Sequence, residues 1–116
     1  MKIVVYLGHN VFGTKTSFHL IPELIPFSKY FDYLSNIEDN FTENIFIDII
    51  VSGFPDLTAA KQFIWRWNKI ISLKLHSDYN SNIIRSLKRV ILMKKPSTLA
   101  IPFTEWKQKL IIHFKK

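Results

Sequence analysis

The chain contains no cysteine. That excludes a disulfide framework and any zinc site with thiolate ligands, and it fits a reducing, intracellular location. Nor is there a run of the roughly 18 to 20 apolar residues that a bilayer-spanning helix needs, so no membrane partner is expected. The short apolar stretch from Ile3 to Leu7 runs into Gly8-His9-Asn10 without a small-residue cleavage site. No secretory leader is therefore expected. Arginine is scarce: the 16 basic residues comprise 13 Lys and 3 Arg. Lysine meets phosphate as a point charge, whereas arginine pairs bidentately and reads bases. Internal repeats and low-complexity segments are also absent.

What is present is enough for one folded unit. The 116 residues are 47% apolar and 15% aromatic, so they can bury a core without covalent staples. A single domain over residues 1–116 is expected. The net charge is +7, with 9 acids against the 16 bases. Such an excess favours a phosphate-rich partner or an acidic protein; on charge alone, a solvated lysine-rich surface is the equal alternative.

Lys2 to Leu7 is rich in β-branched residues and predicts a strand closed by a turn at Gly8-His9-Asn10, with Val11 to Thr16 as its hairpin partner. Pro22 and Pro26 interrupt the run from Phe18 to Phe27, so no long helix is expected there. The mixed run from Phe18 to Tyr33 reads either as core or as an exposed sticky surface. Ser28 to Leu34 predicts a short helical turn, and the polar stretch Ser35 to Asn44 a loop. Ile45 to Val51 is nearly continuous in β-branched residues and predicts a central strand covered on both faces.

Asp56 to Ile71 predicts the clearest helix, with Asp56 as its N-cap. Ala60, Phe63, Ile64, Trp67, Ile70 and Ile71 form one stripe; Thr58, Lys61, Trp65 and Lys69 lie opposite, with Gln62 and Arg66 beside them. A second helix, capped by Asn80 or Ser81, has Ile83, Ile84, Leu87, Val90 and Ile91 as its stripe and Arg85, Lys88 and Arg89 outside. After an irregular stretch beyond Pro96, Lys109 to Phe114 predicts a last strand. This order implies an α/β (α+β) domain with a central mixed sheet of three or four strands flanked by helices.

The stretch Gly53-Phe54-Pro55, Ala59-Ala60, Phe63-Ile64-Trp65 and Trp67-Asn68 resembles the strand-to-helix segment of the Slx-type structure-specific endonucleases, a branch of the GIY-YIG superfamily. Their pattern runs G-F-P, a few variable residues, A-A, two more, then F-E-W-A-W-Q. Leu87 to Met93, Trp106 and Leu110 to Phe114 follow in the order of the family's later helix, tryptophan segment and final strand. About 70 residues, from Ile45 to Phe114, run along the pattern. The G-I-Y triplet is matched by Val4-Val5-Tyr6 or by Val5-Tyr6-Leu7, which makes Tyr6 the candidate first tyrosine. Val11-Phe12-Gly13 is the nearest counterpart of Y-I-G, with Phe12 in place of a tyrosine.

The resemblance implies phosphodiester hydrolysis with one divalent metal held by the helix glutamate, a tyrosine that helps activate water, and an arginine that steadies developing phosphate charge. Ile64 stands where the pattern has glutamate, and isoleucine cannot hold a cation. The first arginine is Arg66, so the family's earlier arginine is absent as well. The expectation is a degenerate nuclease-like protein with Tyr6 as a vestigial catalytic residue and no cofactor; Mg or Mn would be needed if it were active. An active endonuclease with a displaced carboxylate, Asp48 or Glu105, is the first alternative. A pure protein-interaction module is the second.

Lys61, Trp65, Arg66 and Lys69, with Arg85, Lys88 and Arg89, are the candidate nucleic-acid contacts; Lys94 and Lys95 extend the second group. Trp65 either stacks on a base while lysines meet phosphates, or packs under a neighbouring segment with lysine stems over it, the reading its place in the family pattern favours. His9, His19, His76 and His113 show no ligand spacing. The expected partner is DNA bound without sequence preference, or a protein of DNA replication or repair. A bias to Asn, Ile, Lys and Phe suggests an AT-rich genome and would suit a large DNA virus, with the nucleus or a viral replication site as the place of action.

Overall fold

The computed structural model describes residues 1–38, 46–73, 78–93, 106 and 109–115, with side chains of the first segment described to residue 36. Their elements run β1 (Lys2–Asn10), β2 (Gly13–Ile21), a 3-10 turn (Phe27–Lys29), α1 (Tyr30–Glu38), β3 (Phe46–Ser52), α2 (Leu57–Ser72), α3 (Tyr79–Leu92) and β4 (Ile111–Phe114). The sheet has the order β2-β1-β3-β4, and every pairing in it is antiparallel. This is the α+β class that the element order implied, with an antiparallel sheet of four strands where a mixed one was expected.

Strand alternation sends one set of side chains to each side of the sheet. Val5 and Leu7 of β1, with Ile49 and Val51 of β3, meet Ala60, Phe63 and Trp67 of α2 and Ile83, Leu87 and Val90 of α3. Val4 and Tyr6, with Ile47 and Ile50, form a second core with Ile21 and with Tyr30 and Leu34 of α1. The helices α2 and α3 pair antiparallel. Asn82 Nδ2 donates to the Ile71 carbonyl at one end, and Trp67 Nε1 donates to Ser86 Oγ, 3.1 Å away, in the middle.

Helix α2 starts where the sequence placed it. The Asp56 side chain accepts from the Ala59 N–H, closing one of the free donors of the first turn. Gly53 ends β3 with φ 105°, and a Cβ there would overlap the carbonyl oxygen of Lys109. Only glycine combines that backbone angle with so close an approach by the segment leading into β4.

Several boundaries differ from expectation. Gly8, His9 and Asn10 do not turn: they continue β1, pairing with Lys15, Thr14 and Gly13. The chain reverses at Val11-Phe12, because the Asn10 side chain accepts from the N–H groups of Phe12 and Gly13. β2 continues to Ile21, where Pro22 removes the donor needed to extend the ladder. Helix α1 extends to Glu38, into the stretch read as a loop; residues 39–45 lie outside those described. The cap of α3 is Asp78, which binds the Ser81 N–H, and not Asn80 or Ser81. On α3, Ser86 is buried in the stripe, while Ile84 is partly exposed.

Candidate functional site

The residues that carry the family resemblance divide by burial. Phe54, Ala59, Ala60, Phe63 and Trp67 are all buried. Their rings form a chain with Trp106, from Trp106 to Phe54 (5.6 Å between centroids), to Phe63 (5.2 Å) and to Trp67 (5.9 Å). These offset and edge contacts join α2 to the segment before β4, so most of the motif holds shape. Ile64 is half-buried and packs against the same core.

Trp65 points the other way and stays 46% exposed. Lys69 Nζ lies 4.4 Å from its ring centroid and Arg66 Cζ 4.8 Å. The favoured expectation that Trp65 packs under a neighbouring segment is therefore not met: its ring is exposed, with the Lys69 ammonium and the Arg66 guanidinium against it. Lys61 is exposed on the same helix, and Arg85, Lys88 and Arg89 are exposed on α3. Because α2 and α3 lie side by side on one face of the sheet, both basic groups look outward from one layer. Lys94, Lys95 and Glu105 lie outside the described residues.

Tyr6 is 2% exposed and belongs to the core on the α1 side of the sheet. Ile64 packs on the α2–α3 side. The sheet therefore separates the two positions, and they do not face one another across a cleft. Helix α1 carries no arginine. Asp48, the carboxylate considered as a substitute ligand, is engaged elsewhere, as described next. The described residues around Ile64 thus do not fit a divalent cation, which would need oxygen donors there.

Sequence reading missed one polar constellation. β3 pairs with β1 through a bulge: Leu7 faces Ile49 and Gly8 faces Ile47, leaving Asp48 as the extra residue. The bulge turns Asp48 toward the end of β1, where His9 Nδ1 lies 2.6 Å from Asp48 Oδ2, a spacing at which the ring N–H donates to the carboxylate. The Tyr79 hydroxyl donates to the same oxygen over 3.1 Å. Burial and then the Asp48 charge push the Tyr79 pKa up to about 12, so its hydroxyl stays protonated at neutral pH. His9 also stacks on Phe46 (5.6 Å) and meets the Tyr79 ring edge-on (5.5 Å). A cavity of about 340 Å³ adjoins Asp48 between the start of α3 and the β3–β4 edge. The one sequence signal for this group was an acid inside an otherwise apolar strand.

No family model, curated protein or solved structure matches the chain. The GIY-YIG resemblance accordingly stands on the residues that carry it. Among the described residues no helix is long and apolar enough to cross a membrane. Nor do three His, Asp or Glu side chains there come together as a metal site.

Proposed function

We propose that this chain binds nucleic acid, DNA first, through the outer faces of α2 and α3, on a GIY-YIG-like scaffold that does not cut. The observation that carries this reading is the exposed Trp65 with Lys69 and Arg66 beside its ring, on a helix whose inner face is core. An indole flanked by cations offers a stacking surface for a base and charge for the adjoining phosphates. The net charge of +7 favours a polyanion whatever its sequence, and Lys61, Lys69, Arg85, Lys88 and Arg89 are exposed on these two helices. Ile64 supports the absence of cleavage: it offers a metal no oxygen and packs toward the core. A role in DNA replication or repair, alone or with a partner protein, follows from the same resemblance.

The test is a fluorescence-anisotropy titration against forked and duplex DNA over a range of salt. Log affinity should fall linearly with log salt, by about 0.9 for each phosphate neutralised. Lys61→Ala/Lys69→Ala should flatten that slope, and Trp65→Ala should weaken binding to single-stranded arms about tenfold while leaving the slope nearly unchanged. Added Mg²⁺ or Mn²⁺ should yield no cleavage above a Tyr6→Phe control. Absence of binding at low salt would turn the reading to a pure protein-interaction module, and nicking would return it to an active endonuclease.

A further inference from the structure

The most exposed large apolar side chains on the sheet sit together at its far end. Val11 is 93% exposed and Phe12 88%, side by side in the β1–β2 turn. The turn does not require them. Its geometry comes from Asn10, whose Oδ1 accepts from Phe12 N (2.8 Å) and Gly13 N (3.1 Å), and from Gly13 at φ 142°. Two-residue hairpin turns ordinarily place Asn, Asp or Gly at the central positions. Here those positions carry a valine and a phenylalanine that contribute nothing to the core and leave apolar surface in water.

The hairpin behind the tip is stiff: β1 and β2 stay in register from Lys2–Ile21 to Asn10–Gly13. The aromatic surface continues behind it, since Phe46 is exposed and stacks on His9. The strand behind the tip is tied to the basic helix. Thr16 Oγ1 donates to Asn68 Oδ1, one turn beyond Trp65 on α2. From Thr16 to Phe12 is four residues of strand, or about 13 Å. That span covers roughly four stacked bases at 3.4 Å each.

We propose that the hairpin tip is a wedge, led by Phe12, that enters an opened base step while the basic face of α2 holds the adjoining backbone. The proposal rests on the nucleic-acid reading above and names the part of the ligand that the tip recognises: the mouth of a duplex where it meets single strand. Apolar side chains enter base steps where unstacking is least costly, and a fork already has one such step open. The charge of +7 selects this occupant over a second, equally basic copy of the chain.

The test uses the full chain and forked DNA carrying 2-aminopurine either beside the fork or deep in the duplex. The wild type should raise fluorescence several-fold beside the fork and leave the deep position unchanged. Phe12→Ser and Val11→Ser/Phe12→Ser should abolish the rise and weaken fork binding roughly tenfold, the scale of one lost ring–base stack, with an unchanged salt slope. Both variants alter only exposed residues, and their circular dichroism should match the wild type. A wild type that binds with the expected salt slope but leaves fluorescence flat overturns the wedge alone, as does a Phe12→Ser variant that still raises it. Failure of the wild type to bind any DNA at low salt overturns both readings. Loss of self-association or of binding to phosphatidylserine vesicles in Phe12→Ser, with the fork signal intact, assigns the tip to another occupant and also overturns the wedge.

Discussion

The two sides of the sheet are held by different means. On the α2–α3 side, two long helices pack on β1 and β3, a chain of rings runs from Trp106 and Phe54 to Phe63 and Trp67 of α2, and the buried Trp67 N–H and Ser86 hydroxyl both find partners. On the α1 side, a nine-residue helix packs its Tyr30 and Leu34 with Tyr6, Ile47 and Ile50. There the buried Tyr30 hydroxyl has no hydrogen-bond partner among the described residues. Apolar burial stabilises both sides, but among the described residues only the second leaves a buried polar side-chain atom unpaired, and such a group has a desolvation cost. The residues that resemble the endonuclease pattern lie on the first side. They specify packing, and the surface that remains for a ligand is what that packing turns outward.

The sharpest way to break the contrast is Trp67→Ala. It removes the largest fully buried side chain and the hydrogen bond that Ser86 Oγ accepts, while Ser86 keeps its bond to the Ile83 carbonyl, and it should cost about 3–5 kcal/mol of unfolding free energy in a urea titration. If it costs no more than an exposed substitution, the aromatic chain does not support this side of the fold.

A pH titration separates the sides next. The folded pKa of Tyr79 is raised to about 12, above its ordinary value of 10.0. The fold therefore favours the neutral hydroxyl. The stability it contributes is complete below pH 10.0 and is lost as pH rises through about 12. Ultraviolet titration of tyrosinate should show one late-ionising residue, and Asp48→Asn should move it earlier. Burial, the larger cause, should still hold it above the ordinary value.

The smallest effect belongs to the other side. Tyr30→Phe deletes a hydroxyl that has no partner among the described residues, so it should be neutral or stabilise by up to about 1 kcal/mol in the same urea assay. A loss of more than that would mean the hydroxyl is satisfied after all.

How far the sequence could be read follows from how local each signal is. The helix α2 was legible because its cap, its stripe and its exposed face all lie within one continuous segment. The strand β3 was legible because a run of β-branched residues has few other uses. The second half of β2 was not, since Phe18, His19 and Leu20 are held extended by pairing with residues of β1 from 13 to 17 positions away and not by a local pattern. Gly8 misled for a similar reason: it looked like a turn residue but stands in the ladder beside a bulge. At the candidate site, Trp65 and the lysines on α2 came from helical spacing alone. The His9–Asp48–Tyr79 group could not, because its members are 39 and 31 positions apart and meet only through the fold.

The bulge at Asp48 has a bearing on how this chain can change. Ile47 and Ile49 would share one side of an unbroken strand, yet they enter opposite cores. The spare residue works as a half-twist in the ribbon, so that everything before it is out of phase with everything after. Loss of the spare residue would leave both isoleucines on their present sides and take away only the carboxylate that meets His9 and Tyr79, whereas one residue more would send an isoleucine to the wrong core. Across related sequences, loss of the bulge together with loss of the histidine and tyrosine that meet it would be the mark of that arrangement.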